Sequence, residues 1–221
     1  DYDRIDHTFA ISSHEVTVDQ FRRFRPDHRV NESIAASGEC PVHSVSWLLA
    51  AEYCNWLSEQ DGIPEDQWVY VPDKDGKFTK DTKSKGNYLD LQGYRLPTAE
   101  EWEYARAAGT TSAYALGEPQ LLTRILGWTN LNSAARSHPV GSLVPNRWGL
   151  FDMLGNVEEW CQESFAGVGG NYKLGGGSMN SFPWDIGRRG YHVTNNSGAR
   201  TWHAIHLGFR PVRSLPEVDC R

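Results

Sequence analysis

The residues of this chain best suited to transition-metal chemistry lie near its C-terminal end. Asp185, His192, His203 and His206 supply a carboxylate and several imidazoles, and two imidazoles with a carboxylate form the ligand set of non-haem iron sites. Two residues separate His203 from His206 in a segment without helical periodicity, so nothing forces their side chains to converge. Histidines in such positions are more often exposed or hydrogen-bonded, and iron is therefore the minor alternative.

A second set of candidate ligands lies in the segment 154–160. Gly155 and Asn156 permit a tight turn, whose carbonyl oxygens are able to converge with one carboxylate on a hard cation such as calcium. The alternative is a purely structural turn with Glu159 exposed to solvent. The residues alone leave both interpretations open.

The stretch 178–206 has the composition of a binding surface. It combines large rings, small amides, hydroxyls and three arginines, and Asp185 is its only acid. Rigid rings supply contact area at low entropic cost, and guanidinium groups grip carboxylates or phosphates. We expect about half of the rings to pack in the core, with Trp184 and Trp202 the better exposed. The candidate ligand-binding residues are Met179, Asn180, Ser181, Phe182, Trp184, Asp185, Arg188, Arg189, Tyr191, His192, Trp202, His203 and His206.

Composition excludes several classes of function. The 221 residues carry a net charge of −6, whereas a nucleic-acid-binding surface requires a basic excess. No apolar run approaches the roughly 18 residues that span a bilayer, and no signal peptide is recognisable. Four cysteines in so long a chain are incidental to its folding. Many rings beside 21 Gly and 11 Pro predict a loop-rich body held by aromatic packing.

Capping residues predict three helices that position these candidates. The first begins after Thr17 and the second after Ser46, with apolar residues recurring at helical spacing until Gly62. The third begins after Thr98, which has a glutamate three residues later, and should stop at the left-handed Gly109. Each predicted start has a hydroxyl side chain able to accept a backbone N–H.

The remaining chain predicts short strands and loops. Residues 64–92 are interpreted as a surface hairpin, in which 68–70 and 77–78 flank the turn pair Asp75-Gly76. The segments 149–153 and 207–210 are interpreted as buried strands or corners. There is no internal repeat or linker, and one domain over residues 1–221 is the simplest account.

Five ordered segments resemble the formylglycine-generating enzyme, or sulfatase-modifying factor, family. They are PVHSVSWLLAAEYCNWL (41–57), YRLPTAEEWEYARAAG (94–109), HPVGSLVPNRWGLFDMLGNVEEWC (138–161), GGGSM (175–179) and LGFRPVR (207–213). The resemblance implies an α+β protein of the formylglycine-generating-enzyme type of C-type lectin fold. Such a fold has a small antiparallel sheet, two or three helices and much irregular structure. Within these segments, we expect Trp47, Trp102, Trp148 and Trp160 to pack.

The resemblance also implies calcium in the 154–160 turn. Proteins of this type bind calcium through carbonyls that match Leu154, Gly155 and Val157 and a carboxylate that matches Glu159. A second family calcium loop would lie near residues 130–131, but that loop lacks the acidic residue that completes it. We therefore expect one structural calcium ion.

The chain departs from the enzymes of this family at their copper site. Those enzymes hold copper through two cysteines that follow the GGS segment, and these positions match Ser181 and Ile186. Neither residue replaces a thiolate, so no copper is expected. A relocated pair of Cys40 and Cys161 has no spacing to support it. Cys54 matches a family disulfide position whose partner is missing here, which predicts a buried free thiol.

Two groups of relatives suggest what the chain does instead. Variable proteins of diversity-generating retroelements use this fold, lack the copper cysteines and place their variable residues in the C-terminal interval. Domains attached to bacterial serine/threonine kinases are similar as well, and one sequence does not separate the two groups. The resemblance implies a non-catalytic module that presents residues 179–206 to a protein or peptide. The alternative is a formylglycine-generating or other metal-dependent oxidoreductase that acts on a cysteine-containing peptide.

The resemblance and composition together give the expected setting. We expect neither nucleic acid nor membrane insertion, and a bacterial cytoplasmic location is favoured over secretion. The sequence does not define an oligomeric state. The chain starts at Asp1 without the upstream Met-Gly-Ser segment of the family, so we expect it to be a domain of a longer protein.

Overall fold

Three helices form at the predicted positions in the computed structural model, which describes residues 4–110, 124–164, 172–186, 193–194, 200–201 and 203–216. They are α1 (Val18–Phe24), α2 (Trp47–Gln60) and α3 (Ala99–Ala107), and a short helix α4 covers Pro183–Ile186. Thr17, Ser46 and Thr98 cap the three longer helices through their hydroxyl oxygens. The left-handed end of α3 starts at Ala108, one residue before the predicted glycine.

The strands are short and form two main sheets. Strands β1, β11 and β4 form the first sheet in that order, and β10, β7, β8 and β9 form the second. All pairs within them are antiparallel except β10 and β7, which makes the second sheet mixed rather than purely antiparallel. The strands are β1 (Phe9–Ile11), β2 (Tyr70–Val71), β3 (Lys83–Ser84), β4 (Tyr94–Arg95), β5 (Gly127–Trp128), β6 (Leu154–Gly155), β7 (Glu158–Ser164), β8 (Tyr172–Gly175), β9 (Val193–Thr194), β10 (Leu207–Gly208) and β11 (Val212–Ser214).

The hairpin predicted within residues 64–92 exists, but its second arm lies later than expected. Tyr70 pairs with Ser84 and Val71 with Lys83, so β3 takes the place assigned to residues 77–78. A turn does form at Asp75-Gly76, where Gly76 has a φ of 75°. This turn closes locally through Asp73, whose side chain accepts two backbone N–H groups, and it does not set the register of the strands.

Aromatic side chains fill the main core between α2 and the second sheet. Trp47 and Trp160 are buried there, and their indole N–H groups donate to the carbonyls of Cys161 and Val45. Trp102 is buried in a neighbouring cluster under α3. Trp148 was also expected to pack, and this prediction is wrong because its side chain is 47% exposed.

None of the helices in the described ranges is both long enough and apolar enough to cross a membrane.

Candidate functional site

The segment after β8 folds into a tight turn followed by α4, and it carries six of the thirteen candidate ligand-binding residues. Ser181 closes the turn, because its backbone N–H donates to the Ser178 carbonyl and its hydroxyl accepts the Ser178 N–H at 3.0 Å. Phe182 and Trp184 project from the start of α4 as a stacked pair, with ring centroids 4.6 Å apart. Their side chains are 47% and 46% exposed. We call the exposed or half-exposed residues of this segment the C-terminal face: Asn180, Ser181, Phe182, Trp184 and Asp185. His203 is exposed too, but its Nδ1 atom lies 3.2 Å from the Thr201 carbonyl oxygen, and no contact among the described residues joins it to this face.

Not every predicted ligand-binding residue belongs to this face. Met179 is fully buried, and its backbone groups bond Asn156 and Ser133, so its side chain is part of the core. His206 is half-buried, with its Nε2 atom 3.7 Å from Glu158. Arg200, one of the three arginines of residues 178–206 that were expected to grip carboxylates or phosphates, instead donates to Tyr172 and Thr82 inside the protein. Arg188, Arg189, Tyr191, His192 and Trp202 lie outside the described residues.

The two positions that match the copper cysteines are brought together around Gly177. A Cβ atom built on Gly177 would lie 3.0 Å from the Ser181 hydroxyl oxygen and 2.1 Å from a methyl carbon of Ile186. The donor set at this place is one hydroxyl, already hydrogen-bonded, and one buried alkyl group. Because Cu(I) requires soft ligands such as thiolates, these residues do not fit a copper site.

The cysteines do not provide a substitute pair. Cys40, Cys54 and Cys161 are buried, and each lies in a different hydrophobic cluster. Cys40 and Cys54 are free thiols. Burial raises the pKa of the Cys54 thiol well above its usual range, which keeps it protonated. The prediction of a buried free thiol at Cys54 is therefore confirmed. Cys220 lies outside the described residues.

A loop that the sequence did not assign to the binding region borders the C-terminal face. The backbone N–H of Asn130 donates to the Ser181 carbonyl at 3.2 Å, and Ser133 donates to the Met179 carbonyl. Leu131 lies in this loop with 43% of its surface exposed. The loop was considered only as a second calcium site, and no local sequence signal indicated its contact with residue 181.

The 154–160 turn has the tight geometry that was predicted. Gly155 and Asn156 both have positive φ, and a Cβ on Gly155 would lie 2.0 Å from the Trp128 carbonyl oxygen. The side-chain amide of Asn156 and the backbone N–H of Val157 both donate to the Glu15 carboxylate, at 2.9 and 3.2 Å. Gly155 thus permits the turn, and the carboxylate of Glu15, distant in sequence, stabilises it.

Glu159 is buried, which contradicts the alternative of an exposed side chain. Its two oxygens accept hydrogen bonds from the Arg210 Nε and Nη2 atoms, each at 2.7 Å, and from the Trp102 indole at 2.8 Å. Arg210 donates further to the carbonyls of Ser12, Ser13 and Phe151. The guanidinium group of Arg210 thus already pairs with both oxygens of Glu159, the carboxylate that was predicted to bind calcium.

Two further buried carboxylates, Glu15 and Asp152, surround the same arginine. Burial raises the pKa of both, and the charges of Asp152 and Glu159 raise the pKa of Glu15 further. One oxygen of Asp152 accepts the Gly141 N–H at 2.7 Å, whereas the other is buried without a partner among the described residues. We call these three acids and Arg210 the acidic cluster. Three carboxyl groups beside one guanidinium give it an excess of negative charge, which a bound proton or a cation would neutralise.

Sequence reasoning missed Glu15 and Asp152 and assigned no charge partner to Arg210. Asp152 and Arg210 lie within the quoted family segments, so they were visible as motif residues but not as partners. Glu15 precedes α1 and carries no local pattern that distinguishes it. Within the described part of the chain, no three His, Cys, Asp or Glu side chains converge closely enough to share a metal ion, so any metal here requires carbonyl ligands as well.

Comparison with known proteins supports the motif-based resemblance. The chain matches the sulfatase-modifying factor enzyme 1-like domain over residues 3–215. It is 33% identical to the chaperone protein LppX of Paenibacillus barcinonensis, over 70% of this chain and 62% of that protein. It is 28% identical to the formylglycine-generating enzyme of Mycobacterium tuberculosis, over 71% of this chain and 64% of the enzyme. The chain thus spans less than two thirds of both relatives. The similarity extends to a chlamydial serine/threonine-protein kinase, as predicted.

A solved structure shows the same fold. Treponema denticola variable protein 1 superposes with a TM-score of 0.76 over 94% of this chain and 84% of its own, at 23% sequence identity. This likeness confirms the predicted formylglycine-generating-enzyme type of C-type lectin fold. With the matched segments and the domain match over nearly the whole chain, it identifies the protein as a member of the sulfatase-modifying factor enzyme 1-like domain family.

Proposed function

We propose that this chain is a non-catalytic ligand-binding domain that presents its C-terminal face to a protein or peptide. The observation that carries the proposal is the half-exposed, stacked pair Phe182 and Trp184 on α4. It stands beside the positions where the enzymes of the family keep their copper cysteines, and here those positions hold Ser181 and Ile186. The chain thus offers aromatic contact area where the enzymes offer a metal.

The chemistry of the face suits a protein or peptide ligand. Large rings at the centre of an interface supply most of its binding free energy when a partner covers them. Asn180 and Ser181 border the ring pair with adaptable hydrogen-bonding groups, and Leu131 extends the apolar area. The fold shared with Treponema denticola variable protein 1 is consistent with a variable-protein role within this class.

Matched variants test the assignment of the face. We would compare the wild type, F182A/W184A and W148A as immobilised baits in the host extract and quantify the captured proteins by mass spectrometry. Trp148 is a matched control because it is 47% exposed and its ring contacts that of Tyr104, with centroids 5.0 Å apart, as the Trp184 ring contacts that of Phe182. We expect F182A/W184A to lose a partner that W148A retains, by at least about tenfold in a follow-up titration with the purified partner. Equal capture by all three baits would contradict the proposal.

The alternative of a formylglycine-generating or other metal-dependent oxidoreductase has its own readout. The Mycobacterium tuberculosis relative is named as such an enzyme, so the test is direct. The purified chain, loaded with copper and supplied with oxygen, is incubated with a cysteine-containing peptide and followed by mass spectrometry. We expect the thiol to remain unchanged, because Ser181 and Ile186 supply no thiolate. Conversion of the thiol to an aldehyde would establish catalysis.

We further propose that the carbonyls of the 154–160 turn, together with the neighbouring Asp152 carboxylate, accept one structural calcium ion. The unpartnered buried oxygen of Asp152 supports this, since a hard cation would satisfy it together with turn carbonyls. The predicted ligands Leu154, Gly155, Val157 and Glu159 lie in the same turn, and Asp152 joins them as a candidate. The ion would stabilise the turn that lies beneath the C-terminal face.

A further inference from the structure

A cleft of about 410 Å³ opens on a part of the molecule that the proposed function does not use. It lies between helices α1 and α2 on one side and strands β1, β11 and β4 on the other. None of the residues that line it belongs to the C-terminal face or to the acidic cluster. Its volume falls within the roughly 300–1,000 Å³ that small-molecule sites occupy. We call it the α1–α2 cleft.

Aromatic rings form a rigid wall of this cleft. Tyr53 stacks on Phe21 at 5.5 Å and packs against Trp56 at 5.2 Å, so the orientation of its ring is fixed by the core. Trp56 and Tyr94 line the cleft beside it. The Tyr53 hydroxyl has no hydrogen-bond partner among the described residues. The wall therefore combines flat apolar area with an available phenolic O–H.

The charged groups of the cleft are cationic. Arg23 is exposed and makes no ion pair with any described residue. Arg213 lies over the Tyr94 ring at 5.4 Å, and Asp61 is 3.8 Å from its guanidinium, too far for a hydrogen bond. Its Nε atom is buried without a partner among the described residues. None of the described residues that line the cleft is acidic, so Asp61, which pairs with Arg213 from outside the lining, is the acid that opposes its charge, and Arg23 has no ion-pair partner among the described residues.

We propose that the α1–α2 cleft binds a small organic anion that carries a planar ring. Guanidinium groups present several N–H donors in a fixed plane, and carboxylates and phosphates accept them in pairs. The rings of Trp56 and Tyr94 supply the surface on which a planar group stacks. The Tyr53 hydroxyl and the side-chain NH2 group of Gln20 are available for polar substituents, whereas the Gln20 amide oxygen accepts the Thr17 N–H. A wholly apolar ligand would leave Arg23 and the Nε atom of Arg213 without an acceptor, and a simple inorganic anion would leave the aromatic wall uncovered.

Four probes distinguish the anionic group from the ring and a phosphate from a carboxylate. Isothermal titration calorimetry is carried out with adenosine monophosphate and phenylacetate, and with their neutral counterparts adenosine and phenylacetamide. We expect saturable one-to-one binding of at least one anion, with its neutral counterpart at least about tenfold weaker. The anion that binds identifies the acid group. If neither anion binds, or if a neutral probe binds as well as its anion, the proposal is wrong.

Neighbouring arginines on α1 provide a matched pair of variants. Arg22 and Arg23 are both exposed on the same helix, but only Arg23 lines the cleft. We expect R23A to weaken binding of the anion at least about tenfold and R22A to leave it unchanged. R213K keeps the charge but loses the planar donors and should also bind more weakly. R23A that remains folded by circular dichroism and binds like the wild type would overturn the proposal. F182A/W184A should bind the anion normally, which separates this site from the C-terminal face.

Discussion

Glu159 illustrates how much a single buried side chain can do in this fold. It accepts three hydrogen bonds, two from Arg210 and one from Trp102. Arg210 lies between β10 and β11, and Trp102 lies in α3. No spacing in the sequence indicates this partnership, since Arg210 lies 51 residues further along the chain. The motif could therefore suggest calcium from the family resemblance, but it could not reveal that an arginine already contacts the carboxylate.

Replacing Arg210 should lower the free energy of unfolding, because the buried acids around it would lose their positive partner. In R210Q, the carboxylates of Glu15, Asp152 and Glu159 would face one another without their shared cation. We expect the free energy of unfolding to fall by about 3–5 kcal/mol, the range measured when one partner of a buried ion pair is removed. Urea denaturation at neutral pH measures the change. R22Q, on an exposed arginine, is the control, and a loss below about 1 kcal/mol in R210Q would show that the cluster is neutral in the folded state.

Glu158 gives the fold a defined dependence on pH. Burial raises the pKa of this carboxyl from 4.5 to about 7. Because the folded state binds the Glu158 proton more tightly than the unfolded state, protonation of Glu158 stabilises the fold. This contribution to the free energy of unfolding is fully present below the unfolded pKa and is lost as pH rises through about 7. The shift corresponds to about 3 kcal/mol at most.

The variant E158Q isolates this contribution. It should match the wild type in stability near pH 4.5 and exceed it by up to about 3 kcal/mol at pH 8, where the wild type carries a buried charge. The difference between the two proteins is measured by denaturation at each pH, which cancels the opposite trend expected from His206, whose pKa burial lowers. E32Q, at an exposed position, is the control. A difference that does not vary with pH would contradict the raised pKa.

At the scale of elements, local signals predicted what local contacts determine. The starts of α1, α2 and α3 were found because a hydroxyl cap bonds a backbone N–H three residues away. The second arm of the hairpin was misplaced because β3 is chosen by pairing with β2 and not by the nearby Asp-Gly turn. Trp148 was wrongly predicted to be packed, because its place in a segment that resembles the family does not indicate whether its side chain faces the core or the solvent.

The turn that precedes α4 leads to a prediction about metal binding. Ser181 and Ile186 both have an atom within 3.0 Å of the point where a Gly177 Cβ would stand. We therefore expect the double variant S181C/I186C to bind one Cu(I) ion per chain, measured by competition with a chromophoric chelator. The single variant S181C is the control and should bind much more weakly, because one thiolate lacks its partner. Equal affinity of the single and double variants would show that the two positions do not converge.

At the scale of the whole molecule, the acidic cluster connects the N-terminal segment, the 154–160 turn and the strand that ends the fold. Glu15 bonds the turn, and Arg210 bonds the carbonyls of residues 12 and 13. A cation bound here would therefore stabilise contacts between segments far apart in sequence. Its removal should affect global unfolding and not one loop alone.

Chelation tests this consequence. We expect EDTA to lower the melting temperature of the calcium-loaded protein by about 5–10 °C, if the ion is present at roughly a hundredfold its dissociation constant. Added calcium should restore the original value, and magnesium should not, because it demands a stricter octahedral site. D152N should respond less to the chelator. An unchanged melting temperature in the wild type would remove calcium from this protein.

The three-stranded sheet has a consequence for how the chain is made. Among the strands of the described residues, its central strand, β11, is the last to be synthesised, whereas β1 on one edge is the first. Roughly 200 residues separate the two, so β1 emerges from a ribosome about 10–40 s before its partner at ordinary translation rates. Until then the edges of β1 and β4 have no neighbour within this sheet. A nascent chain stalled before residue 212 would thus carry two unpaired strand edges. Factors that bind unpaired edges would have access to them throughout this part of translation.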